Sequence, residues 1–359
     1  GLKALPESFC MLTRLRDLRG KELQTLDLGG CSGLEVLPAS ICNFSGLQLL
    51  ILRGCSGLKE LPGSIANLTN LETLNLAVCS GLETLPASLC RLTGLQTLDL
   101  SYCTGLRELP ALMGDLTKLQ TLDLTGCFGL DVLPASMCRL TGLQTLDLYC
   151  CTGLKELPAF IGDLMQLRTL DLSKCSGLKA LPESFCMLTR LRDLRGKELQ
   201  TLDLGGCSGL EVLPASICNF SGLQLLILRG CSGLKELPGS IANLTNLETL
   251  NLAVCSGLET LPASLCRLTG LQTLDLSYCT GLRELPALMG DLTKLQTLDL
   301  TGCFGLDVLP ASMCRLTGLQ TLDLYCCTGL KELPAFIGDL MQLRTLDLSK
   351  CSGLKALPE

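Results

Sequence analysis

Histidine and tryptophan are absent from the 359 residues, and tyrosine (4) and phenylalanine (8) are few. Without histidine, the side chain that most often moves protons near neutral pH is missing, and a serine or cysteine nucleophile lacks an imidazole base. Zinc sites of the Cys/His type are excluded too, because none of the 24 cysteines stands in a CxxC pair. No glycine-rich phosphate loop is present. The sequence therefore predicts no enzyme, no cofactor and no metal. Charge is sparse at 18%, and its balance is acidic, −6 overall with a pI near 5.0. Phosphate backbones are bound by clustered lysine and arginine, so nucleic acid is not an expected partner. Long hydrophobic runs are missing as well. The longest local one, Leu47 to Leu52, stops at Arg53, far short of the ~20 residues that span a bilayer.

What the sequence has is leucine, 94 of 359 residues, within a hydrophobic content of 47% that excludes disorder. The hexapeptide GLxxLP recurs at Gly1, Gly33, Gly57, Gly81, Gly105, Gly129, Gly153 and Gly177, with one spacing of 32 and then six of 24, and it holds all 15 prolines. Residues 177–352 repeat residues 1–176 without a difference, and 353–359 begin a third copy. That makes 14 repeats and a stub, expected to form one solenoid domain over 1–359 because each unit touches only its neighbours. Identity over 176 residues marks a recent or deliberate duplication. The eight extra residues of the first repeat, Arg16 to Leu23, form an insertion before a strand, either a partner-contacting loop or a solvated bulge.

A full unit, GLETLPASLCRLTGLQTLDLSYCT from Gly81 to Thr104, shows how it folds. In LQTLDL, alternation puts Leu98 and Leu100 on one face of a short strand and Thr97 and Asp99 on the other. Ser88 is placed to cap a short helical turn carrying Leu89 and Leu92, punctuated by Pro86 and Gly94. No unit can bury its leucines alone, so neighbours stack at about 4.8 Å per strand. Position three of the hexapeptide alternates in sign (Lys3, Glu35, Lys59, Glu83, Arg107, Asp131, Lys155), which predicts a surface ion-pair ladder.

The phased form LxxLxLxxCxGLxxLPxxxxxLTx, held by Leu95, Leu98, Leu100, Cys103 and Leu106, resembles the leucine-rich repeat. It is most similar to the cysteine-containing 24-residue repeats of plant intracellular immune receptors and to related repeats of algae and other protists. The resemblance implies an α/β repeat fold, a curved solenoid with a concave parallel β-sheet and short helical segments on the convex side. It also implies an intracellular ligand-sensing or protein-interaction role.

Fourteen cysteines share one ladder position: Cys31, Cys55, Cys79, Cys103, Cys127, Cys151, Cys175 and their equivalents 176 residues on. There the resemblance places Asn or Cys, whose side chain packs into the turn and satisfies loop backbone groups, here through the weak S–H donor. So many unpaired thiols point to a reducing, cytoplasmic compartment. Cys10, Cys42, Cys90 and Cys138 fall in the helical segment, and Cys150 is vicinal to Cys151. The sequons at Asn43 and Asn67 read as chance.

The outward strand positions are the candidate contact surface. One column runs Asp27, Ile51, Asn75, Asp99, Asp123, Asp147, Asp171, and the second copy continues it through Asp275, Asp299, Asp323 and Asp347. Stacked carboxylates repel, so either their pKa values rise or a cation lies against them. That cation is a basic partner surface or Ca²⁺, and the column reads equally as a solvated stripe. Tyr102, Tyr149, Tyr278 and Tyr325 project from strand ends, with Lys174, Gln96 and Gln120 nearby. Leu49, Ile51 and Arg53, with Leu225, Ile227 and Arg229, turn the outward face apolar where water-facing residues are expected. The leading expectation is a recognition scaffold that binds a protein or peptide without chemistry, part of an immune or signalling receptor. The alternative is a self-associating solenoid or a truncated array, because Gly1–Glu7 and Gly353–Glu359 are the same heptapeptide and neither end carries a polar cap.

Overall fold

The computed structural model describes residues 23–188, 191 and 199–357. The insertion of each copy, apart from its last leucine, lies outside them. Alternating leucines give fourteen three-residue strands, β1 (Thr25–Asp27) through β7 (Thr169–Asp171) and β8 (Thr201–Asp203) through β14 (Thr345–Asp347), arranged as two seven-stranded sheets in sequential order. All pairings are parallel and in register, as in Thr97↔Thr121, Leu98↔Leu122 and Asp99↔Asp123. The chain divides into two compact units, one holding each sheet.

Opposite the strands, each described repeat carries a 3₁₀ turn, such as Ala87–Arg91. Pro86, with φ −66° and ψ 141°, sets the extended entry, and its carbonyl accepts the Leu89 N–H at 2.9 Å. The turn is 3₁₀ and not α because one tight turn is all that fits between the LP and LT leucines. Ser88 corrects the sequence expectation. Its hydroxyl makes no capping bond and lies buried with no hydrogen-bond partner, as do Ser40, Ser216 and Ser264. Proline already fixes the backbone at the entry, so serine is not needed there.

Leucines from all sides of the coil fill the core: Leu89, Leu92, Leu95, Leu98, Leu100 and Leu106 have no exposed area. Packing between repeats also explains the motif glycine. A Cβ on Gly105 would stand 2.6 Å from the Ser80 carbonyl oxygen of the preceding repeat. The ladder thiols do what the sequence predicts. Cys103 Sγ donates to the Leu76 carbonyl at 3.2 Å, Cys127 to Leu100 at 3.2 Å and Cys279 to Leu252 at 3.1 Å. Each ties its repeat to the one before. Burial pushes the Cys79, Cys103, Cys255, Cys303 and Cys327 thiols up to about 12. Cys127, Cys151, Cys231 and Cys279 are raised for the same reason.

The ion-pair ladder is mostly not made. Among the described residues, position three pairs only as Lys155 with Asp131, at 3.6 Å, and Lys331 with Asp307, at 2.8 Å. Long exposed side chains gain little from pairing in water. Shorter ties form instead between successive 3₁₀ turns, Arg139 to Asp115 and Arg315 to Asp291, both at 2.6 Å.

Beyond each strand the chain turns back through a left-handed residue. Glycine stands there at Gly30, Gly54 and Gly126, but Val78 (φ 60°), Tyr102 (57°), Cys150 (60°) and Lys174 (60°) adopt the same conformation. A β-branched residue with positive φ is strained, at a cost of about 1–2 kcal/mol. Val78→Asn is therefore expected to raise the stability of the first unit by about 1 kcal/mol, measured by denaturant unfolding. No gain would show that contacts of the half-exposed valine offset the strain.

Candidate recognition surface

The strands place the predicted column as expected, with Thr and Asp outward and half-buried between inward leucines. The aspartates also have a structural task that sequence reasoning missed. Asp99 Oδ1 accepts the Ser101 N–H at 3.0 Å, Asp123 that of Thr125 at 2.9 Å, Asp147 that of Tyr149 at 2.9 Å and Asp171 that of Ser173 at 2.8 Å. The second copy repeats the turn at Asp275, Asp299, Asp323 and Asp347. These are Asx turns that steer the chain off the strand into the left-handed residue. The D-x-S/T spacing at a strand end was the available signal. Asn75 makes the same turn to Ala77 at 3.0 Å and donates sideways to Asp99 Oδ2 at 2.9 Å. The turn therefore needs the oxygen and not the charge.

Burial raises the Asp147 and Asp299 carboxyls, and neighbouring aspartates add to the shift. Asp347, beside Ser349, is lowered by hydrogen bonds from that residue's hydroxyl and amide. Among the described residues, every ion pair lies away from the column, at Arg139, Lys155, Arg315 and Lys331. Among the described residues the column carboxylates thus meet no cation, and Asp99 spends its second oxygen on Asn75.

Ile51 and Ile227 interrupt the column and carry no oxygen for the turn. Around Ile51 the surface dips into an open depression of about 490 Å³ lined by Asp27, Gly29, Gly30, Ile51, Arg53, Gly54 and Val78. Leu49 and Ile51 are half-buried and Arg53 is exposed. Leu225, Ile227 and Arg229 repeat that exposure in the second unit. Three glycines make the dip, so an incoming group meets backbone flanked by one aspartate and one arginine. A second reading of Leu49 and Ile51, as an apolar pair covered by the preceding insertion, falls on residues outside those described.

Tyr149 sits two residues beyond its column aspartate and Tyr102 three. Tyr102 is 46% exposed, and its ring lies over Gly126, where a Cβ would stand 2.7 Å from it. Lys174 Nζ donates to the Tyr149 hydroxyl at 2.5 Å and stands 5.0 Å from the centre of that ring. Tyr278 over Gly302, and Lys350 over Tyr325, match them in the other unit. The structure brings tyrosine, lysine and aspartate together at the strand exits. Gln96 and Gln120 lie at the strand entries, facing a different hollow.

A family model described as a leucine-rich repeat region matches residues 263–353, and one for the single leucine-rich repeat matches 22–44, 166–188 and 198–220. The chain is a leucine-rich-repeat protein. Among solved structures, this leucine-rich-repeat chain is similar to a leucine-rich-repeat protein of Leptospira interrogans. That likeness has 28% identity and a TM-score of 0.60, over 99% of this chain and 89% of the other. It also shares its fold with an internalin of Listeria monocytogenes, with 19% identity and a TM-score of 0.51, over 83% of this chain and 86% of that one. The search of curated protein sequences found no match. Among the described residues no helix is long and apolar enough to cross a membrane, and no three His, Cys, Asp or Glu side chains are grouped to hold a metal ion.

Proposed function

We propose that the protein is a non-enzymatic recognition scaffold that binds a protein or peptide with a basic surface across the strand faces of its repeats. The observation that carries this reading is the depression at Ile51. An apolar floor of glycine and isoleucine, with Arg53 and Asp27 at its edge, opens beside a column of aspartates that form no ion pair among the described residues. Contact surfaces combine an apolar centre with charged surroundings in this way. The Asp99, Asp123, Asp147 and Asp171 column and the Tyr102 and Tyr149 rings extend the surface, as do Asp275, Asp299, Asp323, Asp347, Tyr278 and Tyr325 in the second copy. A reducing compartment suits ladder thiols that serve as S–H donors. The plant-type repeat pattern agrees with a receptor's sensing segment.

The test exploits the Asx turn. Asp99→Asn, Asp123→Asn and Asp147→Asn, with their second-copy equivalents, remove charge while keeping the oxygen that holds each turn, as Asn75 already does. A Lys/Arg-rich peptide is expected to bind the native chain with a steep salt dependence and to lose at least about tenfold in affinity to these variants. Ile51→Glu with Ile227→Glu is expected to weaken binding through the apolar centre. Peptide binding unchanged by both sets would overturn the reading. Growth in particle size with concentration, seen by light scattering, would favour self-association instead.

A further inference from the structure

A second hollow lies at the strand entries. In the first unit it encloses about 380 Å³, walled by Gln96, Lys118, Gln120, Gln144 and Gln166 over Gly142. The second unit repeats it at about 350 Å³, with Gln272, Lys294, Gln296, Gln320 and Gln342 over Gly318. Two sequence columns build it: the residue immediately before each strand, which is Gln96, Gln120 and Gln144 here with Glu72 and Arg168 on either side, and the position two residues earlier, where Lys118, Gly142 and Gln166 follow one another. Nothing about the backbone calls for glycine at that place. A Cβ on Gly142 would come no closer than 3.7 Å to any atom, so the missing side chain leaves a recess and relieves no clash.

The main chain here is already satisfied, since the N–H groups of Gln120 and Thr121 both donate to the Gln96 carbonyl, at 2.8 and 3.0 Å. The side chains of Gln96, Gln120, Gln144 and Lys118 are not. Among the described residues, Gln96, Gln120 and Gln144 make no side-chain hydrogen bond and Lys118 meets no carboxylate. Each glutamine amide offers two donors and an acceptor, so the hollow presents a row of groups that can both give and take hydrogen bonds. No aromatic or aliphatic side chain lines it.

We infer that this groove binds a neutral, linear, hydroxyl-rich chain, an oligosaccharide of β-1,4-linked pyranoses laid across the strands. Spacing supports it. Sugars in such a chain succeed one another at roughly 5 Å, close to the 4.7–4.9 Å between stacked strands, whereas an extended peptide advances ~3.3 Å per residue and falls out of step with the amides. Hydroxyls both donate and accept, as the amides do. Charge supports it too. The aspartates three residues beyond Gln96, Gln120 and Gln144 disfavour a polyanion, and Lys118, with Arg168 before the next strand, disfavours a polycation. The hollow lies in the volume range of small-molecule sites and carries a few directed polar groups.

Isothermal titration of the full chain with cellohexaose, and separately with a linear hexa-uronate, tests the assignment. Cellohexaose is expected to bind with little dependence on salt. Gly142→Leu with Gly318→Leu, which fills the recess, is expected to weaken binding about tenfold or more, and Gln120→Ala with Gln296→Ala, which deletes the central amides, to do the same. Circular dichroism checks that every variant folds. Four outcomes would overturn the inference: no binding at millimolar sugar, binding untouched by both groove pairs, a salt-dependent preference for the uronate, or a peptide held in the groove in place of sugar.

Discussion

Raising the pH from 9 towards 11 is expected to unfold the protein, well before its arginines lose their charge. The cause is the thiol ladder. An exposed thiol ionises near 9.0, but burial pushes Cys79, Cys103, Cys255, Cys303 and Cys327 to about 12. The folded state therefore keeps protons that the unfolded chain releases, and stability falls as pH climbs through that window. Below pH 9 the stabilisation is fully present. By pH 11 each such thiol has given up about 2–3 kcal/mol, and with at least two in each unit the loss is a large fraction of the stability of a typical domain. Circular dichroism against pH, in reductant, reads the transition. Replacing these five cysteines by asparagine, which the repeat pattern accepts at this position, keeps a donor for the neighbouring carbonyl and removes the ionisation. That variant is expected to unfold at a distinctly higher pH. An unchanged midpoint would assign the alkaline limb to other groups.

This ladder was legible in the sequence because repetition does the work of structure. A residue that recurs every 24 positions must stack on itself, and the resemblance to leucine-rich repeats implies that the Cys103 side chain satisfies a backbone group, as its bond to the Leu76 carbonyl does. The same holds for Leu98 and Leu100, whose alternation in a three-residue strand leaves one possible inward face. What spacing does not disclose is how a side chain chooses between water and its neighbours. Lys59 and Glu83 stack by backbone, with Glu83 N–H donating to the Lys59 carbonyl at 3.4 Å, yet their side chains do not pair as those of Lys155 and Asp131 do. Asp99 looked like one charge in a stripe and is first an acceptor for its own turn. Ser88 looked like a cap and is silent, because Pro86 had already done that work. The glutamine hollow depends on an absent side chain at Gly142, and glycine recurs at that unit position in Gly46 and Gly94, where the sequence shows only turn punctuation.

Truncating Leu98 to alanine is expected to cost about 2–5 kcal/mol, whereas Asp99→Ala on the next residue costs about 1 kcal/mol. Leu98 has no exposed area and stacks in register between Leu74 and Leu122, so its removal leaves a void that leucines of two neighbouring repeats must bridge. Asp99 loses the Ser101 N–H and hydroxyl contacts, but the strand keeps its ladder and water replaces the carboxylate. The duplication supplies an internal replicate. Leu274 and Asp275 occupy the same environment in the second unit, again with no exposed area at the leucine and with Ser277 bonded to the aspartate. Leu274→Ala should therefore match Leu98→Ala within error. Because each residue packs only against its own neighbours, the double variant should show the sum of the two losses. Denaturant unfolding of the two single variants and the double measures this. Equal costs for Leu98→Ala and Asp99→Ala would contradict the inward and outward assignment of the strands. A double variant less damaging than the sum would show that the two copies do not unfold as independent nearest-neighbour arrays.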